Sequence, residues 1–202
     1  MRPIALPPNQ IHSFYRGGEA IARFRGTDST DDHAPEDWVG STTTRFGAYG
    51  TGLSVLPGGR LLGDALAAEP AAFLGPAHAV RFGPDTELLV KLLDAGERLP
   101  VHFHPDRDFA RRHFGSARGK TEAWLIVETR REPATVWLGF RDDVESEKLV
   151  GWVDRQDGAT MLGALNERGE TLLMPYAAGP AELSGSVDVI RCLPPDPDGG
   201  TA

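Results

Sequence analysis

Two histidines, a glutamate and two lysines carry the chemistry that this sequence allows. His102 and His104 stand two positions apart in Leu99–His104, a short apolar segment whose pattern predicts a β-strand. Residues i and i+2 of a strand leave the same face, so both imidazoles can reach one metal ion. Imidazole suits zinc, iron, nickel and copper, and a carboxylate completes a facial set with positions open for water or substrate. Glu122 supplies that carboxylate if the next predicted strand pairs alongside; there Glu122, Trp124 and Ile126 share one face. Lys120 precedes Glu122 by two and emerges on the same side. Lys91 lies inside the apolar run Glu87–Asp94 (ELLVKLLD), where it either serves a pocket or snorkels to the surface. A His-x-His pair also occurs in ordinary cores and surfaces, so spacing alone leaves metal binding open.

The elements that must position these residues are short. Strands are expected at Leu53–Leu56, Val80–Phe82, Glu87–Asp94, Leu99–His104, Ala123–Thr129, Val136–Gly139, Thr171–Met174 and Val187–Cys192. Helical spacing marks Arg60–Leu74, interrupted near Pro70, then Asp106–His113, Val144–Asp154 and about Ala159–Asn166. The 24 glycines and 16 prolines place turns throughout, which favours many short strands over long helices. A β-sandwich or barrel decorated with helices is therefore expected. The tail Pro194–Ala202 (PPDPDGGTA) reads as disordered, leaving one domain over residues 1–193.

Composition removes several function classes. With 202 residues, 40% hydrophobic and 25% charged, the chain is that of a globular domain with a real core. A net charge of −8 argues against a phosphate-backbone binder, so no nucleic-acid partner is expected. No apolar run approaches the roughly 20 residues that span a bilayer, and Met1–Tyr15 lacks a signal-peptide core. A cytoplasmic protein without a membrane partner is expected. The single Cys192 excludes an internal disulfide and a CxxC metal knuckle.

Gly96 stands six positions before His102, giving G-x5-H-x-H, which resembles the opening of the cupin motif. In cupins the glutamate usually follows within a few residues, whereas here 17 residues separate His104 from Glu122. The stretch LLVKLLDAGERLPVHFHPDRDFARRHFG and the following GKTEAWLIVE resemble type I mannose-6-phosphate isomerases. Tyr15–Gly18 and Pro35–Ser41 are similar to that family's W-G-G and E-x-W-x-x-S segments.

The resemblance implies a mainly β fold with helical insertions, a cupin-like double-stranded β-helix or jelly roll. It implies an enzyme that interconverts mannose 6-phosphate and fructose 6-phosphate through an enediol, with a divalent metal, zinc foremost. His104 and Glu122 would be metal ligands, with His102 standing where most members have glutamine. Lys91 and Lys120 match positions that line the sugar-phosphate pocket, and Lys120 is also the candidate for moving protons. Arg16, where a tryptophan is usual, joins the substrate-binding set, and Pro100 replaces a usual serine. The family's later motif begins at Gly169–Pro175, but Pro180 stands at its histidine, or Glu182 if Gly179 is aligned. No histidine follows His113 and no counterpart of the downstream arginine is present, so an incomplete jelly roll is expected. Exposed strand edges would then favour a homodimer. The competing expectation is a catalytically impaired remnant or a small metal- or sugar-binding module.

Overall fold

The computed structural model describes residues 3–45, 48–99, 102, 104–129, 136–155, 158–168 and 188–191. They fall into two units, Met1–Leu99 and Pro100–Ala202. The expected strand at Thr171–Met174, Glu182 and the tail from Pro194 lie outside the described residues.

In the first unit, β1 (Gln10–Ile11), β2 (Glu36–Val39) and β3 (Val90–Leu93) form an antiparallel sheet in the order β1-β2-β3. Its register sets Trp38 opposite Lys91 and Val39 opposite Val90. Helix α1 (Glu19–Arg25) follows the Gly17–Gly18 pair. That pair is sterically required: Gly17 has φ +144°, and a Cβ there would stand 1.8 Å from the Asp94 carbonyl oxygen. A Cβ on Gly18 would stand 2.1 Å from the carbonyl oxygen of Ala34. The opening N–H groups of α1 are satisfied from outside the helix, because Gly18 and Ala20 both donate to Asp94 Oδ2. Ile21 and Ala22 of α1 are buried with Ile11, Tyr15, Trp38, Leu62, Ala65 and Leu66. Each large side chain among them contributes about 1.5–3 kcal/mol when fully buried.

The Arg60–Leu74 helix breaks as expected, into α2 (Leu62–Ala68) and α3 (Pro70–Leu74), with Pro70 starting the second piece. Helix α4 (Pro76–Phe82) replaces the strand expected at Val80–Phe82. Pro76 occupies a favoured first-turn position, and among the described residues no strand pairs with Val80–Phe82 to hold it as β. At Leu53–Leu56 the structure has an isolated bridge from Val55 to Leu61 rather than a strand.

The second unit begins with α5 (Arg107–Phe114), close to its predicted bounds. Asp106 caps it, its Oδ1 accepting from the Phe109 N–H at 2.6 Å, and Gly115 ends it at φ 63°. Strand β4 (Ala123–Ile126) precedes β5 (Val136–Phe140), α6 (Ser146–Asp154), α7 (Gly158–Ala164), β6 (Leu165–Arg168) and β7 (Asp188–Arg191). Antiparallel pairs β4–β7 and β5–β6 form separate two-stranded sheets. His102 and His104 lie in irregular backbone, not in the expected strand Leu99–His104. Strand accounts for 16% and helix for 33%, so the expected mainly β composition is not found among the described residues. The helices at residues 62–82 account for much of that difference. No helix among the described residues is long and apolar enough to cross a membrane.

Candidate active site

In the second unit the sequence brings three of its marked residues together through one backbone contact. Gly119 packs against the Pro105–Asp106 peptide so closely that a Cβ would stand 2.7 Å from the Pro105 carbonyl oxygen. The Lys120 N–H donates to that same oxygen at 3.0 Å. The chain thus runs out along helix α5, and the segment Gly119–Glu122 returns beside His104. There His104 Nε2 meets Glu122 Oε2 at 2.5 Å, and Lys120 Nζ lies 3.6 Å from the same oxygen. The side chains of His104 and Glu122 are 24% and 22% exposed, so they are sheltered yet reachable. The His104 hydrogen bond, aided by the Lys120 charge and the Trp124 side chain, brings the Glu122 carboxyl down to about 2 despite its burial.

The ring of His102 lies beside that of His104, with centroids 5.0 Å apart. Its donor atoms do not join the other two in a compact set. Among the described residues, the group of three ligand atoms within 4.8 Å of one another is Asp31, Asp32 and His33. That group is a partly exposed loop knitted by its own hydrogen bonds, His33 Nδ1 to Asp32 and the His33 N–H to Asp31. Along β4 the expected alternation holds: Glu122, Trp124 and Ile126 are partly buried, and Ala123, Leu125 and Val127 are exposed.

In the first unit Lys91 does not snorkel. Its Nζ sits 3.1 Å from Glu36 Oε2 and 5.2 Å from the centre of the Trp38 ring, and its side chain is 21% exposed. Glu36 also accepts from Trp38 Nε1 at 2.7 Å and from the Tyr15 hydroxyl at 2.8 Å. Burial alone would raise the Glu36 carboxyl, but the Trp38 bond, the Lys91 charge and the Tyr15 bond together hold it below its ordinary value. Burial and the Glu36 carboxylate push the Tyr15 hydroxyl far up. These groups line a cleft of about 170 Å³ together with Ile11, Ser13 and Arg45. Arg16 is exposed; its NH1 lies 3.9 Å from Asp32, and it is not among the residues lining the cleft.

Ser13, Tyr15, Glu36 and Arg45 are polar cleft residues that the sequence alone did not single out. A signal for Glu36 existed: a lysine inside an apolar strand needs a carboxylate, and Glu36 and Trp38 share a face of β2.

No protein-family model matches the chain. It is 33% identical over 122 residues to a mannose-6-phosphate isomerase of Streptococcus mutans, covering 59% of this chain and 35% of that protein. It is 30% identical over 149 residues to a mannose-6-phosphate isomerase of Bacillus subtilis, covering 72% of this chain and 43% of the relative. The chain is related to mannose-6-phosphate isomerases. A crystal structure of the mannose 6-phosphate isomerase from Bacillus subtilis superimposes with a TM-score of 0.60 and 22% identity. That likeness covers 95% of this chain and 53% of the other, and it shows a shared fold. The chain thus spans about a third to about half of the length of the mannose-6-phosphate isomerases it matches here.

Proposed function

We propose that residues 1–193 form a single cupin-type domain, corresponding to the N-terminal portion of the family's catalytic domain, of a metal-dependent isomerase that interconverts mannose 6-phosphate and fructose 6-phosphate in the cytoplasm. The observation that carries the reading is the meeting of His104, Glu122 and Lys120 at one carboxylate oxygen, in a chain whose relatives bear that name. An imidazole nitrogen and a carboxylate oxygen converging at a sheltered point are a donor pair suited to a divalent ion such as zinc. His104 and Glu122 would hold the ion, with His102, already beside His104, as the third donor. When bound, the ion supplies Lewis-acid stabilisation of the charge that develops on a sugar oxygen.

The chain's own residues do the rest. An aldose–ketose exchange removes a weakly acidic proton beside a carbonyl and returns it to the neighbouring carbon, through an enediol. Lys120 would hold a substrate hydroxyl and pass a proton, and its ammonium adds to the His104 hydrogen bond in keeping Glu122 ionised. Lys91 would line the sugar-phosphate pocket, as the resemblance implies, with its charge shared with Glu36.

Metal analysis of the purified chain, followed by a coupled isomerase assay with added zinc, tests the reading. One metal per chain and measurable turnover are expected. Metal without turnover would replace the enzyme by a binding module, and the absence of both would remove the reading altogether.

A further inference from the structure

We infer that Arg45 is a second, unneutralised cation of the cleft in the first unit, and that it sets specificity for a phosphorylated rather than a neutral sugar. The inference rests on the reading that a sugar phosphate is the substrate, and it adds a residue that neither the motif spacing nor the resemblance marked.

The argument is one of charge and donor counting. The cleft is lined by two cations, Arg45 and Lys91, and one anion, Glu36. Glu36 is committed: Lys91 Nζ and Trp38 Nε1 reach one of its oxygens, and the Tyr15 hydroxyl reaches the other. Lys91 is therefore neutralised in place. Arg45 is not, since no carboxylate pairs with it among the described residues. Its partner among the described residues is a backbone carbonyl, that of His12, which accepts from NH1 at 2.7 Å. That bond aims the guanidinium without cancelling its charge. A guanidinium carries five N–H donors in a planar fork, so most remain for an incoming group, and that fork matches the oxygens of a phosphate. The cleft holds about 170 Å³, several times the roughly 30 Å³ that a water occupies in the liquid, so a phosphate group can be accommodated. Arg45 also lies near enough to Tyr15 for its charge to oppose the upward push on that hydroxyl. An anion seated on Arg45 would share the cleft with the Tyr15–Glu36–Lys91 network.

Isothermal titration of the full chain with mannose 6-phosphate, mannose and inorganic phosphate tests this, alongside Arg45→Gln and Arg45→Lys. Wild-type protein is expected to bind mannose 6-phosphate, with Kd raised at least tenfold in Arg45→Gln and less in Arg45→Lys. Inorganic phosphate should compete with mannose 6-phosphate, and any weak mannose binding should be unchanged in Arg45→Gln. Circular dichroism melts confirm that both variants fold, as expected for a partly exposed side chain. Equal mannose 6-phosphate affinity in wild type and folded Arg45→Gln would overturn the inference, as would no binding of mannose 6-phosphate or phosphate to the wild type. The two readings fail separately. Arginine-dependent phosphate binding without turnover would leave the Arg45 role standing and remove the isomerase. Turnover with a KM unmoved by Arg45→Gln would do the reverse.

Discussion

The Glu36–Lys91 pair of the first unit stands on two hydrogen-bonded strands, whereas the Glu122–Lys120 pair of the second stands on a loop and the edge of a strand. On β2 and β3 the register itself puts Lys91 beside Trp38 and within reach of Glu36, and three donors then fix the carboxylate. Around Glu122 the alignment comes from Gly119 lying against the Pro105–Asp106 peptide, and the carboxylate faces an imidazole as well as an ammonium. In the first arrangement the carboxylate already has three donors. The second leaves a nitrogen and an oxygen donor meeting with a proton between them, which a cation can displace. A sheet can position a charge pair by register alone, but a convergent donor set here needed a loop folded back on itself.

The sharpest way to break the contrast is to remove a donor. His104→Ala and Glu122→Ala should each lower metal affinity and isomerase turnover by more than roughly 100-fold, since even outer partners of ligands are worth 10–100-fold. Metal content by mass spectrometry of the native protein checks this, and unchanged content would exclude the site. Next in size is the loop. Gly119→Val forces a side chain into the Pro105 carbonyl and should lower metal affinity about 10-fold or more while α5 keeps its helical signal by circular dichroism. An unaffected Kd for zinc would mean that the backbone contact does not align the donors.

In the first unit the expected loss is in stability. Glu36→Gln leaves Lys91 partly buried without its carboxylate and should cost about 2 kcal/mol in urea unfolding at pH 7. Its pH dependence follows from the lowered Glu36 carboxyl. The folded protein binds fewer protons than the unfolded chain below the ordinary value of 4.5, so this contribution is complete above 4.5 and lost as pH falls through the lowered folded value. Acid titration of stability should therefore be shallower in Glu36→Gln than in wild type over that window, and equal slopes would contradict the pairing. Smallest is Asp106→Ala, which removes the cap of α5 for about 1 kcal/mol and should show as faster hydrogen exchange in its first turn.

Much of this was legible from residue types. Helical spacing over Asp106–His113 announced α5, Pro70 announced the break between α2 and α3, and Glu122 with Trp124 announced the sheltered face of β4. Local chemistry decides such features. Illegible were those decided by distant partners. His102 and His104 read as a strand because alternation looks alike in paired and unpaired backbone, yet they lie in a loop held by a segment across α5. Val80–Phe82 read as β although Pro76 begins a helix through it. Arg45 passed unnoticed because it belongs to no period or motif, and its importance arises from what Lys91 and Glu36 do to each other's charge.

The carboxylate of Asp94 has a kinetic meaning as well. The amides that it receives at the start of α1 belong to residues 76 and 74 positions earlier in the chain. A ribosome must therefore make nearly the whole first unit before that helix has its anchor, and closing so long a loop delays the contact. Helix and third strand should consequently lock in one concerted event, and a chain cut anywhere between them would be expected to lose both at once.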